Sequence, residues 1–267
     1  MCNLLNDIHP PHYLLAMTET PELPTCHESN ERWAWFDLDN TLWNFSANSL
    51  TALDATYDVM HLDRWWPDRQ QWFNDYHEAN DEMWRLYERA EIDQDTLRVD
   101  RFRIPLAKSL FDGGQEEAVR LARELDRVYL EILGRQKVLM DGAMEAVSRA
   151  RAEGYRIGVL TNGFNNVQHN KLRNSGLEPL VDLMVLSDEI GINKPDTRLF
   201  RYAEQRAHTS ADHCVMIGDN RTTDIDGALA AGWRAIWYDA KGMSLEQPET
   251  AIADNMTVCR NLHELQL

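Results

Sequence analysis

The chain reads as a doubly wound α/β protein, a parallel sheet with helices on both faces, carrying an all-helical insertion after its first strand. Three observations predict this. From residue 141 onward, short apolar runs alternate with amphipathic stretches, several closed by Gly, the rhythm of strand–helix–strand units. A similar apolar run ending in acids, Trp33–Asp39, stands far upstream. Between the two, residues 47–133 show helical periodicity, many Trp and Tyr and almost no Gly.

Taken in order, Trp33–Asp39 (WAWFDLD) predicts a buried strand whose carboxyl end carries the acids. Residues 47–133 predict consecutive helices, with Asp112-Gly113-Gly114 as the clearest turn among them. Helix 143–153 ends at Gly154 and leads into strand 156–160, followed by Thr161-Asn162-Gly163. Helix 165–175 closes at Gly176 and leads to strand 183–186; helix 197–207 leads to strand 215–217, which ends in Gly218-Asp219. Helix 224–231 closes at Gly232 and leads to strand 234–237. The expected organisation is a loosely ordered extension over 1–30, an α/β core over 31–46 and 135–267, and the helical insertion over 47–134.

Composition narrows the function. With 43% hydrophobic and 27% charged residues, a disordered or collagen-like chain is excluded. The excess of 44 Asp+Glu over 27 Lys+Arg, a net charge of −17, repels phosphate backbones and argues against nucleic-acid binding. It leaves a small phosphorylated substrate open, because a bound cation inverts the local field. The four cysteines (Cys2, Cys26, Cys214, Cys259) are far apart with no metal-ligand spacing, which suits a reducing cytoplasm. No apolar run is long enough for a membrane span. The amino-terminal stretch lacks the basic region of a signal peptide. Its Pro10, Pro11, Pro21 and Pro24 read as a loose extension in which Met17 is a second candidate start. Nothing in the sequence gives an oligomeric state.

Ligands of an open parallel sheet bind at the carboxyl ends of its strands. Those ends carry Asp37 and Asp39, Thr161 and Asn162, and Asp219 with Asp224 five residues on, while Lys194-Pro195 lies just before the third core helix. Singly, each has a bland reading: acids in a solvated turn, a Thr-Asn-Gly turn, a helix N-cap at Asp224. In this order, each after the expected strand, they fit phosphoryl transfer. Asp37 can attack phosphorus and carry an aspartyl-phosphate. Asp39 can protonate the leaving oxygen and then deprotonate the attacking water. Mg²⁺ would take Asp37, Asp219 and the Asp39 main-chain carbonyl. Lys194 offsets charge on nucleophile and phosphoryl group, and Thr161 and Asn162 cradle the phosphoryl oxygens. A Walker loop, a dinucleotide-binding glycine fingerprint and a nucleophile elbow are all missing from the sequence.

Asp37-Leu38-Asp39-Asn40-Thr41-Leu42, Thr161-Asn162-Gly163, Lys194-Pro195 and Gly218-Asp219-Asn220-Arg221-Thr222-Thr223-Asp224 together resemble the four motifs of the haloacid dehalogenase (HAD) superfamily. The resemblance spans about residues 33–265, with the helical insertion where that superfamily places a mobile cap. It implies a Rossmann-like core, the roles just given, and Asp224 as an acid supporting the metal from behind. Members that displace halide from carbon generally lack an acid at the second position, so Asp39 implies a phosphatase. Thr161-Asn162-Gly163-Phe164 through Leu172, Gly176-Leu177 and Gly191-Ile192-Asn193-Lys194-Pro195 look most like the pyrimidine 5′-nucleotidase branch, which house-cleans nucleoside monophosphates. The expected substrate is then a nucleoside 5′-monophosphate. Phosphoglycolate and sugar-phosphate phosphatases share the motifs, and a non-catalytic binding module is the alternative from another class.

A nucleobase could stack on Trp43, Phe45 or Phe164, which lie beside the motifs. The insertion's Trp65, Trp66, Trp72, Trp84, Tyr57, Tyr76 and Tyr87 have helical spacing, which suits core packing as well as stacking. His61, His77, His169, His208 and His213 lack metal-ligand spacing. Arg221 reads as a salt bridge to nearby acids, with substrate contact as the alternative.

Overall fold

The structure, a computed structural model, describes residues 30–243 and 255–267. The expected extension (apart from Asn30), Met17, Cys2 and Cys26 lie outside the described residues.

Five strands alternate with helices in the order the sequence predicts. They are β1 (Arg32–Phe36), β2 (Tyr155–Thr161), β3 (Leu183–Leu186), β4 (Cys214–Gly218) and β5 (Arg234–Tyr238). A further short strand, β6 (Met256–Cys259), extends the edge beyond β5. All neighbours are parallel, in the order β3-β2-β1-β4-β5-β6. Side-chain alternation along each strand builds two cores. Ala34 and Phe36 of β1, Val215 and Ile217 of β4 and Ile236 of β5 join one apolar cluster. Trp33, Trp35, Cys214, Met216, Ala235 and Trp237 join the other. A sheet buried on both faces is what the continuous apolar runs required, so the doubly wound expectation is borne out.

Five α-helices lie between β1 and β2, and the first four are α1 (Phe45–Val59), α2 (Arg69–Glu88), α3 (Gln94–Lys108) and α4 (Gln115–Leu133). The side chains of Asn44, Asp68 and Asp93 cap the first three by accepting a backbone N–H. Trp72, Tyr76, Phe102 and Tyr129 fill the bundle interior in tilted and stacked contacts. These rings are core, as helical spacing allowed. The remaining helices are α5 (Ala143–Ala152), α6 (Asn165–Ser175), α7 (Thr197–Ala207) and α8 (Gly227–Ala230). Helix α6 stops at Gly176, whose φ of 81° is the left-handed region that glycine enters without strain.

Three expectations change. Strand β1 ends at Phe36, so both acids of the first motif sit in the following loop and not on the strand. The Asp37 N–H still continues the ladder, donating to the Ile217 carbonyl at 2.9 Å. The expected helix 224–231 is instead a π-helical turn, Arg221–Asp226, followed by the short α8. Its wide first turn is held by the Asn220 side chain, which accepts from the N–H groups of Thr222 and Thr223. Strand β6 was not anticipated, because four residues at a sheet edge carry too little pattern to read. Among the described residues no helix is long and apolar enough to cross a membrane.

Candidate active site

A cavity of about 400 Å³ opens at the carboxyl edge of the sheet, between the strand ends and helix α2. Its floor brings together Asp37, Asp39, Thr161, Asn162, Gly163, Lys194, Asp219 and Asp224, every phosphoryl-transfer residue singled out from the sequence.

Lys194 organises the floor. Fully buried, its ammonium donates to Asp37 Oδ1, Asp224 Oδ1 and the Leu160 carbonyl, each at 2.7 Å. Burial alone would depress a lysine, but Asp224 and Asp37 overrule it and hold the ammonium charged. Its backbone is clamped as well: Lys194 N donates to Asn162 Oδ1 at 2.8 Å and Asn162 Nδ2 donates to the Lys194 carbonyl at 3.1 Å. The Asn162 side chain thus fixes Lys194 through its oxygen and one N–H, while the residue also lines the cavity.

The carboxylates of Asp37, Asp219 and Asp224 offer oxygens that all lie within 4.8 Å of one another. Burial pushes the Asp37 carboxyl well above its ordinary range, Lys194 pulls it back, and Asp224, Asp219 and Asp39 push it up again. Burial followed by Asp224 raises Asp219 to about 7. A cluster of hard oxygen donors that repel one another fits a divalent cation such as Mg²⁺. Asp224 is the most committed of the three, with Oδ1 on Lys194 and Oδ2 accepting from Asn220 N at 3.1 Å. The glycine of the fourth motif makes this possible: a Cβ on Gly218 would lie 2.2 Å from Asp224 Oδ2. Thr41 ties the first motif to the fourth, its hydroxyl accepting from Asp219 N at 3.0 Å.

Asp39 faces a different set of partners. In the loop after β1, Asn40 takes a left-handed φ of 62°, tolerable for Asn, and the Leu42 and Trp43 N–H groups fold back onto the Leu38 carbonyl. The turn delivers Asp39 to helix α6. There Lys171 Nζ donates to both its oxygens, at 2.6 and 2.9 Å, and Gln168 Nε2 donates to Oδ2 at 2.9 Å. The same Gln168 nitrogen reaches Thr161 Oγ1 at 2.7 Å, and that hydroxyl also accepts from Gly163 N. Gly163 leaves the room, since a Cβ there would lie 2.1 Å from Gln168 Nε2.

The roof is one face of α2: Asn80, Trp84 and Glu88 at i, i+4 and i+8, with Asp81 and Arg85 beside them. Burial raises the Glu88 carboxyl, and Lys194 lowers it. Of the three aromatics expected near a substrate, Phe45 lines the cavity. Trp43 is fully buried, with Lys171 Nζ 4.4 Å from its ring centre, and does not reach the cavity wall. Phe164 lies behind the wall, stacked on Trp84 at 5.4 Å. Trp43 and Phe45 diverge because helix α1 begins between them, turning Phe45 out of the buried loop. Arg221 donates to Asp226 Oδ1 at 2.8 Å, the salt bridge expected of it.

Lys171, Gln168, Thr41 and the α2 face, apart from Trp84, which is among the aromatics weighed for stacking, were not read from the sequence as site residues. Helix α6 did carry a faint signal: two long polar residues, Gln168 and Lys171, one turn apart among its buried positions Val167 and Leu172.

Comparison with known proteins matches this arrangement. The model of the haloacid dehalogenase-like hydrolases covers residues 32–232. The pyrimidine 5′-nucleotidase YjjG of Escherichia coli is 31% identical over 235 residues, 88% of this chain and 96% of that protein. A phosphoserine phosphatase of Thermus thermophilus is 33% identical over 66% of this chain and 69% of its own length. Among solved structures, YfnB from Bacillus subtilis bound to magnesium superposes with a TM-score of 0.73 at 26% identity, over 88% of this chain and 96% of its own. With four motifs converging on one sheet edge under a helical cap, and with a family match over most of its length, the chain belongs to the haloacid dehalogenase-like hydrolases, as a phosphoric monoester hydrolase.

Proposed function

We propose that this hydrolase is an Mg²⁺-dependent phosphatase that cleaves nucleoside 5′-monophosphates through an aspartyl-phosphate on Asp37. The observation that carries the reading is the cavity itself. Its floor holds an ion-paired nucleophile candidate beside an acid on a separate mount, and its wall carries two half-buried aromatics, Trp84 and Phe45. Similarity to the pyrimidine 5′-nucleotidases YjjG and PynA of Streptococcus pneumoniae supports the substrate class. The domain division we propose is a cap over 47–134 on a core of 31–46 and 135–267. A reducing cytoplasm suits Cys214 and Cys259, both free thiols; burial pushes Cys214 up to about 12 and leaves it inert.

The chemistry follows from the two mounts. Lys194 holds one oxygen of Asp37, orienting the carboxylate for attack on phosphorus. Asp39 gives a proton to the departing ribose oxygen, becoming a carboxylate as the P–O bond breaks. It then takes a proton from the water that attacks the aspartyl-phosphate, releasing phosphate and restoring Asp37. Thr161 Oγ1 and the backbone around Asn162 and Gly163 face the phosphoryl oxygens. Mg²⁺ held by Asp37, Asp219 and the Asp39 carbonyl, with Asp224 behind them, would offset the charge of the carboxylates and the phosphoryl group. Helix α2 lies over the floor.

The test is phosphate release with Mg²⁺ from dUMP, dTMP, UMP, AMP, phosphoglycolate and hexose phosphates, with EDTA and Asp37→Asn as controls. Preference for pyrimidine monophosphates supports the reading. Preference for phosphoglycolate or a sugar phosphate keeps the chemistry and overturns the substrate. No turnover of any of them leaves a binding module, and intact ligand binding by Asp37→Asn would then be expected.

A further inference from the structure

We infer that Lys171 is a positioning residue for phosphoryl transfer. With Gln168, it mounts the Asp39 carboxylate and receives the charge that forms there when the leaving group takes its proton. The inference rests on the reading of Asp39 as the acid and base.

Three features of the structure carry it. Lys171 is 3% exposed, and its ammonium makes both its contacts with the two oxygens of Asp39, 132 positions away in sequence. Its remaining side is covered by the faces of Trp43 and Phe45, at 4.4 and 5.5 Å from the ring centres. Gln168 then links that carboxylate to Thr161 through a single nitrogen. The acid is therefore rigidly coupled to the strand end that faces the phosphoryl group. A lysine buried against one carboxylate is a poor device for stability, because desolvating both charges roughly cancels their attraction. Placed against a group that must alternate between carboxyl and carboxylate, it has a use.

Proton accounting places the pair in the cycle. The first step requires a proton on Asp39, and the second returns one to it from water. The Asp39 O–H bond breaks as the ribose oxygen leaves phosphorus, the proton goes to that oxygen, and the electron pair stays on Asp39. The Lys171–Asp39 ion pair is the partner arrangement for that carboxylate. The ammonium is already in place on both oxygens, so the charge that develops on Asp39 as the proton departs meets its partner without reorganisation. In the second half, the carboxylate takes a proton from water while the hydroxide bonds to phosphorus.

Leaving groups separate this role from a structural one. An alkyl oxygen needs the proton, whereas p-nitrophenolate leaves without one. The readout is kcat/KM, which reports the first chemical step, for a nucleoside 5′-monophosphate and for p-nitrophenyl phosphate, in wild type, Lys171→Met, Lys171→Arg and Asp39→Asn. Removing a positioned acid costs about 10²–10⁴-fold. We expect Lys171→Met to lower the nucleotide value by about 10²-fold and the p-nitrophenyl value by only a few fold. Lys171→Arg should recover most of the loss, and Asp39→Asn should show the same selectivity more strongly. Equal losses on both substrates in Lys171→Met, with selectivity retained in Asp39→Asn, would make Lys171 a structural residue and overturn the inference alone. Equal losses in Asp39→Asn would remove the acid reading and the inference with it. Thermal melting of each variant identifies a folding defect; if Lys171→Met melts early, Lys171→Arg decides, since whatever loss it retains must fall on the nucleotide and not on p-nitrophenyl phosphate, and an equal loss on both overturns the inference.

Discussion

Lys194→Met is the perturbation that tests the electrostatic design of the site most directly. The ammonium is the only side-chain cation in contact with Asp37 and Asp224 among the described residues, 2.7 Å from each, and both carboxylates are themselves buried. Methionine fills the same volume without charge, so cavity formation contributes little. What remains is two carboxylates without a counter-ion, with Asp219 beside them. Breaking a buried pair by removing one partner costs about 3–5 kcal/mol, a fall in Tm of roughly 6–20 °C for a chain of this size. Urea denaturation in EDTA, which keeps adventitious cations away, measures it. Asp37 and Asp219 already bind protons more tightly than an ordinary carboxylate, Asp219 at about 7, and losing Lys194 moves Asp37 further up. Raised folded-state values mean that the stability is present at low pH and lost as pH rises through them. The Lys194→Met deficit is therefore smaller at pH 5 than at pH 8. Lys194→Met/Asp224→Asn removes one of the stranded charges and should be more stable than Lys194→Met, with a coupling of about 1–3 kcal/mol. A deficit below about 1 kcal/mol, or a double variant no more stable than the single, would refute the reasoning.

The same carboxylates predict the effect of metal. Without it, the folded protein loses stability as pH rises from about 4, the unfolded carboxylate range, through the folded value of about 7 for Asp219. Mg²⁺ relieves that repulsion, so it should raise Tm more at pH 8 than at pH 5.5 in differential scanning fluorimetry; an equal or reversed increment contradicts it. Gly218→Ala puts a Cβ 2.2 Å from Asp224 Oδ2 and should cost about 1–3 kcal/mol by overpacking together with most of the turnover, whereas Gly114→Ala, with open space at its Cβ, should leave turnover unchanged. Trp84→Leu should raise KM for nucleoside monophosphates about 10-fold, in the range of base stacking on an aromatic ring, without raising it for phosphoglycolate. A uniform change across both substrates would show that Trp84 only packs on Phe164.

How much of this was legible in the sequence depends on the range of the interaction that decides each residue. Helices α6 and α7 and strand β3 have the predicted bounds because their limits are local: Gly176 ends one helix and Asp196 caps another. Asp37, Thr161, Lys194 and Asp219 could be brought together in advance because a parallel sheet puts all its strand ends on one edge, whatever the details of packing. The orientation of a side chain at that edge is a longer-range matter. Asn162 and Asp224 both turn to Lys194, and nothing within a few residues of either dictates that. Trp43 and Phe45 are two residues apart, yet one is interior and the other on the cavity wall, because the loop after β1 closes on itself before α1 starts. The rotation of α2 about its axis, which presents Asn80, Trp84 and Glu88 to the cavity, is set by how Trp72 and Tyr76 pack against Phe102 and Tyr129. Lys171 is the extreme case: a lysine on an amphipathic helix is ordinarily solvated, and only the arrival of Asp39 from a loop 132 positions earlier makes its burial tolerable. Motif residues thus report the reaction, since chemistry constrains which atoms must meet at the sheet edge. The residues that tune and restrict the reaction are chosen by tertiary packing, and Lys171 and the α2 face are where the reading from structure goes beyond the reading from sequence.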